Sequence, residues 1–344
     1  MKTRVLKPDE AALREAASIL KSGGLVGFPT ETVYGLGANA LNPDAVRAVF
    51  AAKGRPADNP LILHIANPSD LRPLIACEPP PSAKILMEKF WPGPLTMIFP
   101  KSEIVPSVTT GGLDSAAIRM PSHPVARRLI ELTGLPIAAP SGNRSGRPSP
   151  TAAAHMLEDM DGRVEMILDG GSCGVGVEST VLDMTGDVPR VLRPGGVTPE
   201  EIRAAVGACT VDPAVLRPLG KDEKAKSPGM KYRHYAPVGA LTVFHGRPDA
   251  VADAIRKAYD EALQSGKSPL ILALTDHLSR YGDRRTEPLG HDAAEMAQTV
   301  FAALRDADAK HADVIFSEAV ETEGIGLAVM NRLGRAAAFH IIEV

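Results

Sequence analysis

At 344 residues, the chain is long enough for about two domains. Hydrophobic residues make up 44% and charged residues 23%, which is the balance of a folded globular protein and excludes disorder over most of the chain. The formal net charge of −3 provides no broad positive surface, so a protein dedicated to coating DNA or RNA is not expected.

The three cysteines, Cys77, Cys173 and Cys209, are far apart and form no CxxC pair. This spacing argues against a zinc ribbon or a disulfide framework and favours a reducing compartment. Charged residues interrupt the apolar residues near the N-terminus, so no secretory signal is expected. No segment has the roughly 18 consecutive apolar residues that a membrane span needs. We therefore expect a cytoplasmic protein without a membrane partner.

Hydrophobic spacing predicts the elements of the first two-thirds of the chain. A helix over 9–22 ends at Gly23-Gly24, a buried strand follows at 25–28, and a polar, glycine-rich loop leads to a helix over 43–52. Further strands are predicted at 61–65, 95–99, 116–120, 135–139, 164–168, 179–184 and 190–193. Further helices are predicted near 82–90, 123–133, 151–160 and from Thr198 onward. Because strands and helices intermix without regular alternation, the pattern favours an α/β fold with one large mixed sheet.

The segment 208–239 differs in composition from its surroundings. It is rich in proline, and residues 217–233 carry six Lys or Arg against two acidic residues, which predicts an interdomain linker. Beyond it, strands at 240–245, 269–274 and 313–317 alternate with helices at 249–264, 292–308 and 326–335. That alternation indicates a smaller, Rossmann-like domain with a parallel sheet. The predicted organisation is therefore 1–207, 208–239 and 240–344.

A G-x-G-x-x-A string at 35–40 superficially matches a dinucleotide-binding fingerprint. The residues before it do not form a strand that runs directly into the glycines, and Asp58 lies in a polar stretch and not at a strand end. Binding of NAD is therefore not favoured.

Two polar strings have both a structural and a functional interpretation. Lys53-x-Arg55 closes a helix, where cations complement the helix dipole, but a lysine beside an arginine fork also suits phosphate oxygens. Ser141-Gly142-Asn143 directly follows a predicted strand, either as an ordinary turn or as a loop whose donors cradle a phosphate. Neither string decides between its two interpretations alone.

The segment 227–237 is unusual for a linker, because it places Lys231, Tyr232, Arg233, His234 and Tyr235 in succession. Such side chains offer charge for phosphates and flat surfaces for stacking. We expect this segment to dock and to act as a lid that excludes water from a reaction site.

Five strings follow one another along the chain: PTETVYGLGANA at 29–40, KGRP at 53–56, NPL at 59–61, Ser141-x-Asn143 and SPGMKYRHYAP at 227–237. Together and in this order, they resemble the threonylcarbamoyl-AMP synthase family in its two-domain form, with a YrdC-like N-terminal domain. The resemblance implies a YrdC-like twisted mixed sheet with flanking helices, plus a Rossmann-like C-terminal domain. It also implies synthesis of L-threonylcarbamoyl-AMP from L-threonine, bicarbonate and ATP with release of pyrophosphate. That product would serve the tRNA threonylcarbamoyl transferase machinery in making threonylcarbamoyladenosine.

The resemblance also implies the positions of the site residues. The threonine site would comprise Thr32, His64, Arg119 and Ser179. The ATP site would comprise Lys53, Arg55, Asn59, Ser115, Ala139 (mainly through its backbone), Ser141, Asn143, Ser149, Arg193 and Tyr232. The catalytic groups would be Lys53, Arg55, Ser141 and Asn143, because phosphoryl transfer depends on positioning and on charge at the phosphoryl oxygens. Mg²⁺ is expected to arrive with ATP, with no metal site built from protein side chains alone.

Two other classes of function stay open at this point. A protein that binds double-stranded RNA or tRNA is supported by the surplus of basic residues in the linker, and direct tRNA binding is left undecided. A carbamoyltransferase that uses carbamoyl phosphate is the second alternative, because YrdC-like domains also occur in such enzymes.

Overall fold

The computed structural model describes residues 2–217 and 234–344. Tyr232, expected at the ATP site, and residues 227–233 of the expected lid lie outside these ranges. The described residues divide into two compact units, the first comprising 2–145 and 149–215 and the second comprising 146–148, 216–217 and 234–344. Within the described ranges, no helix is long and apolar enough to cross a membrane.

In the described part of the first unit, strands in the order β1-β8-β2-β3-β7-β4-β6-β5-β9-β10-β11 form one sheet. They are β1 (Arg4–Leu6), β2 (Val26–Phe28), β3 (Gly35–Asn39), β4 (Ile62–His64), β5 (Leu95–Pro100), β6 (Ser115–Arg119), β7 (Ile137–Ala138), β8 (Met166–Leu168), β9 (Thr180–Asp183), β10 (Arg190–Arg193) and β11 (Thr210–Val211). Neighbouring strands pair both in parallel, as β4 with β6, and antiparallel, as β5 with β6. This confirms the large mixed sheet expected from the sequence.

Helices flank that sheet and begin and end close to the predicted positions. They are α1 (Glu10–Lys21), α2 (Pro43–Lys53), α3 (Pro81–Phe90), α4 (Pro124–Thr133), α5 (Ala153–Met160) and α6 (Pro199–Val206), with 3-10 turns at Pro68–Leu74 and Pro213–Val215. β11 and the second 3-10 turn fall inside the segment predicted to be a linker, and β11 continues the sheet of the first unit beside β10. The domain boundaries 1–207, 208–239 and 240–344 stay a prediction.

The ends of α2 show how local sequence positions a functional residue. The side chain of Asn42 caps the helix by accepting from the backbone N–H groups of Asp44 and Ala45, and Pro43 occupies the first helical position. Gly54 ends the helix in the left-handed conformation, with φ +62°, which glycine adopts without steric cost. Lys53 is therefore the last residue of a capped helix, and Arg55 lies just beyond the turn.

The expectation of a loop between 29 and 42 was wrong for residues 35–39, which form β3. A Cβ at Gly37 would lie 2.8 Å from Cε1 of Phe28 and 3.1 Å from Cγ2 of Ile137. The glycine therefore lets β2 and β7 pack closely on either side of β3. Hydrophobic periodicity could not reveal this strand, because glycine has no side chain to contribute to a pattern.

The described part of the second unit contains one parallel sheet in the order β14-β13-β15-β12-β16, which confirms the parallel sheet expected there. Its strands are β12 (Ala240–His245), β13 (Pro269–Ala273), β14 (Thr286–Pro288), β15 (Val314–Glu318) and β16 (Ile341–Glu343). Its helices are α7 (Pro248–Gln264), α8 (Ala293–Ala309) and α9 (Gly326–Ala336), with a 3-10 turn at Thr275–Tyr281. The sequence analysis missed β14 and β16, both of which are three-residue strands at an edge of the sheet.

Tyr235, in the described end of the expected lid, packs on helices of the second unit. Its ring centroid lies 5.1 Å from that of Phe301 in α8, and the Arg332 guanidinium of α9 lies 5.6 Å from its ring. The ring of Tyr235 is thus packed inside the second unit, against side chains of α8 and α9.

Replacing Gly37 by alanine should destabilise the first unit by about 1–3 kcal/mol, because the added methyl group overpacks a site closed by neighbouring strands. Trp91, the single tryptophan, is buried in the first unit and reports its urea unfolding by fluorescence. Gly186→Ala is the matched control, because a Cβ there meets no atom within 4 Å. Its unfolding free energy should change by less than about 1 kcal/mol. Equal effects of the two substitutions would contradict the packing role of Gly37.

Candidate active site

Two sequence motifs meet at a buried lysine. Nζ of Lys53 donates to the backbone carbonyl oxygens of Ser141 and Asn143, at 2.5 and 2.6 Å. The backbone N–H of Ser145 donates in return to the carbonyl of Lys53, at 2.9 Å. The loop after β7 is thereby held against the end of α2. The structure thus brings Lys53, Ser141 and Asn143 together, as the phosphate-cradle interpretation of both strings requires.

The environment of Lys53 makes its charge sensitive to a ligand. Burial, and then the nearby Arg55 guanidinium, lower the pKa of Lys53 from 10.5 to about 7, although Asp159 and Glu178 act in the opposite direction. Arg55 is also buried, with its guanidinium 5.7 Å from the Phe50 ring. Two neighbouring buried cations repel each other, so an anion bound beside them would favour both charges.

Cross-strand register assembles a second group of polar residues. His64 on β4 is the partner of Arg119 on β6, which in turn faces Thr96 on β5. Thr96 is the partner of Val181 on β9, and Val181 that of Arg193 on β10. Five strands therefore place two arginines, a histidine and a threonine in one row across the sheet.

Arg119 joins this row to the loop between β2 and β3. Its Nη1 donates to Oγ1 of Thr32 at 3.0 Å, and its Nε donates to the carbonyl of Gly93 at 3.3 Å. Oγ1 of Thr32 is also 2.8 Å from Oγ1 of Thr30. The structure thus brings together Thr32 and Arg119, which the resemblance assigned to the threonine site.

His64 is buried next to Arg119. Its Nδ1 lies 3.2 Å from the carbonyl oxygen of Ile62, and its ring meets that of Phe28 edge-on at 6.5 Å. Burial, and then the charge of Arg119, lower the pKa of His64 to about 3. The imidazole is therefore neutral at physiological pH and can offer a hydrogen bond but no charge.

Residues 178 and 179 connect the two groups of residues. Ser179 accepts from Nη2 of Arg193 through its carbonyl oxygen at 2.9 Å and its Oγ at 3.2 Å, and that Oγ lies 2.8 Å from Oγ1 of Thr96. Glu178 accepts a hydrogen bond of 2.5 Å from Oγ of Ser149. The structure therefore ties Arg193, expected in the ATP site, to Ser179, expected in the threonine site.

Gly195 allows the segment after β10 to lie against this connection. A Cβ at position 195 would be 2.2 Å from the carbonyl oxygen of Glu178 and 2.3 Å from the nitrogen of Thr180. Only glycine fits at such a distance from backbone atoms. The backbone at Gly195, within the string 193–196, therefore lies in close contact with the backbone of residues 178–180.

Three of the expected ATP residues lie at the start of a strand or beside one, outside the two groups described above. Ser115 begins β6, four residues from Arg119, and lines a cavity of about 350 Å³ together with Asp183 and Thr185. Asn59 precedes β4 and is fully buried, and neither its Oδ1 nor its Nδ2 has a hydrogen-bond partner in the described ranges. The backbone N–H of Ala139 donates to the carbonyl of Ile62 at 3.0 Å. The structure therefore does not bring Ser115 to the group around Arg119. Contacts with protein groups in the described ranges do not account for the buried amide of Asn59.

Sequence reasoning overlooked Glu31, which lies within the quoted PTETVYGLGANA string. Its Oε1 is 2.7 Å from Nη2 of Arg119. Burial alone would raise the pKa of Glu31, but the Arg119 charge and nearby hydrogen-bond donors lower it below its usual value. The available signal was a carboxylate one residue before Thr32 in an otherwise uncharged loop.

Among residues 2–217 and 234–344, no three His, Cys, Asp or Glu side chains come together in a way that could hold a metal ion. The described site combines cations, hydroxyl groups, amides and a neutral imidazole with the carboxylates of Glu31, which pairs with Arg119, and Glu178, which accepts from Ser149. Such a set suits an anionic substrate held by charge and hydrogen bonds.

The comparisons with known proteins agree with this architecture. The family model of Sua5, YciO and YrdC proteins, described as "Telomere recombination", matches residues 18–195. The first unit, with its mixed sheet and buried cations, thus defines a protein of the YrdC-like class. A second model, described as "Threonylcarbamoyl-AMP synthase, C-terminal domain", matches residues 197–338.

Relatives of full length narrow the assignment. The threonylcarbamoyl-AMP synthase of Pyrococcus abyssi is 50% identical over 337 residues, which cover 98% of this chain and 97% of that protein. The synthase of Bacillus subtilis is 45% identical over 344 residues, covering 99% and 97%. The crystal structure of P. abyssi Sua5 complexed with L-threonine matches with a TM-score of 0.94 at 48% identity, covering 100% of both chains. The chain therefore belongs to the threonylcarbamoyl-AMP synthase family, an enzyme family of the nucleotidyltransferase type, as its motifs had indicated.

The lowered pKa of Lys53 predicts a pH dependence of stability. Between pH 7 and about 10, the unfolded chain binds a proton at Lys53 that the folded chain has released, so the free energy of unfolding rises with pH. Relative to Lys53→Met, the unsubstituted chain should gain about 1–3 kcal/mol between pH 7 and pH 9. Urea unfolding followed by Trp91 fluorescence measures this difference.

Lys84→Met, at an exposed position of α3, provides the control for that experiment. It should show the same pH slope as the unsubstituted chain. If Lys53→Met also keeps that slope, Lys53 is protonated in the folded chain throughout this range.

Proposed function

We propose that this chain synthesises L-threonylcarbamoyl-AMP from L-threonine, bicarbonate and ATP, with release of pyrophosphate. The observation that carries the proposal is the contact of Lys53 with the backbone carbonyls of Ser141 and Asn143, because it brings a buried cation, close in sequence to the buried Arg55, against a loop that carries a hydroxyl group and an amide. The P. abyssi relative complexed with L-threonine, matched along its whole length, supports threonine as the amino-acid substrate.

In the proposed reaction, the neutral amine of threonine adds to CO2 and loses a proton to form a carbamate; with bicarbonate as the carbon source, the same step releases water. A carbamate oxygen then attacks the α-phosphorus of ATP, the bond to the β-phosphate oxygen breaks, and pyrophosphate leaves. No protein nucleophile is needed, so the work of the chain is positioning and electrostatic stabilisation.

The buried cations and the adjacent loop are proposed to serve the triphosphate. Lys53 and Arg55 would neutralise charge on the phosphoryl oxygens, while Ser141 and Asn143 would supply neutral donors. The contacts proposed to complete the ATP site are those of Asn59, Ser115, Ala139, Ser149, Arg193 and Tyr232. The buried amide of Asn59, without a protein partner in the described ranges, is consistent with a ligand contact. Mg²⁺ is proposed to enter bound to the triphosphate.

The row of polar residues at Arg119 is proposed to bind threonine. The guanidinium of Arg119 would bind the carboxylate, and Thr32, His64 and Ser179 would surround the rest of the molecule. The neutral state of His64 suits a hydrogen bond to the threonine hydroxyl group. Segment 227–237 is still proposed as a lid.

The product is proposed to pass to the tRNA threonylcarbamoyl transferase machinery of the cytoplasm. The mixed anhydride in threonylcarbamoyl-AMP is reactive toward water, so a second enzyme must consume it soon after release. This chain would supply the activated group, and that machinery would transfer it to adenosine in tRNA.

Omission of single substrates tests the proposed reaction. Pyrophosphate release, together with detection of the adenylate product, should require L-threonine, bicarbonate and ATP. Activity with carbamoyl phosphate in place of bicarbonate would favour a carbamoyltransferase. Salt-sensitive RNA binding without any turnover of ATP would favour an RNA-binding protein.

Loss of either buried cation should lower catalysis without unfolding the chain. Lys53→Ala or Arg55→Ala should reduce pyrophosphate release at least about tenfold, because each removes a charge-assisted contact worth roughly 1.5–3 kcal/mol. Arg47→Ala is the matched control, since Arg47 lies on the same helix with a side chain 62% exposed and pairs only with Asp44 among the described residues. Turnover near that of the unsubstituted chain in a folded Arg55→Ala variant would refute the assignment of Arg55.

A further inference from the structure

Glu31 places a carboxylate in the half of the site that is proposed to bind threonine. Its side chain is 13% exposed and that of Arg119 is 4% exposed, and Oε1 of Glu31 lies 2.7 Å from Nη2 of Arg119. The loop between β2 and β3 carries both Glu31 and Thr32, so one short segment contacts two nitrogens of the same guanidinium.

This contact pairs the charges but leaves hydrogen-bonding capacity unfilled. Nη2 of Arg119 and both carboxylate oxygens of Glu31 are buried, and within residues 2–217 and 234–344 none of them makes a well-aligned hydrogen bond, although the backbone N–H groups of Glu31 and Ser122 lie close to the carboxylate. Nη1 and Nε of Arg119 are already committed to Thr32 and Gly93. Buried polar groups without partners cost stability, so a ligand that satisfies them is favoured.

A ligand that fits beside this pair must carry both an anion and a donor. The guanidinium of Arg119 favours an acceptor, whereas the carboxylate oxygens of Glu31 have capacity for further N–H or O–H donors. A free α-amino acid has a carboxylate and an ammonium group on one carbon atom, and so supplies both within one small molecule. A hydroxy acid would supply the carboxylate but only one neutral donor.

We propose that Glu31 binds the α-amino group of the amino-acid substrate, while Arg119 binds its carboxylate. This assignment rests on the proposed function. It identifies the residue by which the site would distinguish an amino acid from other small molecules that carry a carboxylate. Glu31 acts through hydrogen bonds, and no covalent step is assigned to it. After the carbamate has formed, the remaining N–H still faces this carboxylate, which keeps the nitrogen oriented while the carbamate oxygen meets the phosphorus.

The charge of Glu31 is suited to this role. Although burial opposes ionisation, the guanidinium of Arg119 and nearby donors hold the pKa of Glu31 below its usual value. The carboxylate is therefore ionised at neutral pH and accepts hydrogen bonds from an ammonium group with the strength of a charge-assisted contact.

Calorimetric binding of two ligands, without ATP, tests the assignment. The ligands are L-threonine and its analogue 2,3-dihydroxybutanoate, in which a hydroxyl group replaces the amine. The unsubstituted chain should prefer threonine, and Glu31→Gln should weaken threonine binding at least about tenfold while changing binding of the analogue less than about threefold. A selective loss of this kind shows that Glu31 reads the amine.

The alternative is that Glu31 only orients Arg119. In that case both ligands lose affinity by the same factor, because both carry the carboxylate, and the proposal is overturned. It is also overturned if Glu31→Gln keeps the full preference for threonine. If the unsubstituted chain binds neither ligand, the proposed function itself fails, which separates the two failures.

Unchanged Trp91 fluorescence and unchanged ATP affinity show that the variant is folded. If Glu31→Gln does not fold, Glu31→Asp takes its place, since it keeps the charge and withdraws it by one methylene group. The aspartate variant should lose part of the preference for threonine, again with little change for the analogue. A full preference in Glu31→Asp would overturn the proposal.

Discussion

The ammonium group of Lys53 holds the carbonyls of Ser141 and Asn143, and the arrangement of the candidate phosphate site depends on this contact. Because Lys53 is buried, its nitrogen must find partners in the protein, and the loop after β7 supplies them. Burial and the neighbouring Arg55 disfavour the charged form of Lys53 and lower its pKa to about 7, so an anion bound beside both side chains would favour their charges.

The half of the site that is proposed to bind the amino acid depends on a different constraint, the register of five strands. His64, Arg119 and Thr96 lie in one row because their strands pair residue by residue, and a register shift between Val191 and Arg193 brings Arg193 opposite Val181 in the same row. A shift of any of these strands by one position would turn its side chain to the opposite face. Hydrogen bonds from Arg119 and Arg193 to loop residues then tie the row to Thr32 and Ser179. Rigid strands thus hold the charged groups, and loops bring the smaller polar groups to them.

The elements that the sequence predicted well are those with strong local signals. The capped helix α2, the strand–helix alternation after Ala240 and the strand leading to Ser141 all combine hydrophobic spacing with clear boundaries. β3 was missed because its glycines carry no side-chain signal, although Gly37 is required by the contact with Phe28. Ser115 was placed by resemblance alone, and the structure puts it at the far end of β6 from Arg119.

The sequence by itself determined the class of fold and the family, and it predicted which polar strings belong to the site, because spacing and motif order are properties of the chain alone. Only the tertiary structure decided which of these strings touch. The contact between Lys53 and Ser141 spans 88 positions, and that between Arg119 and Thr32 spans 87. The contact of the Glu31 carboxylate with Arg119 likewise became evident only in the structure. Burial and pairing set the charge of such groups, and both depend on neighbours that are remote in the chain.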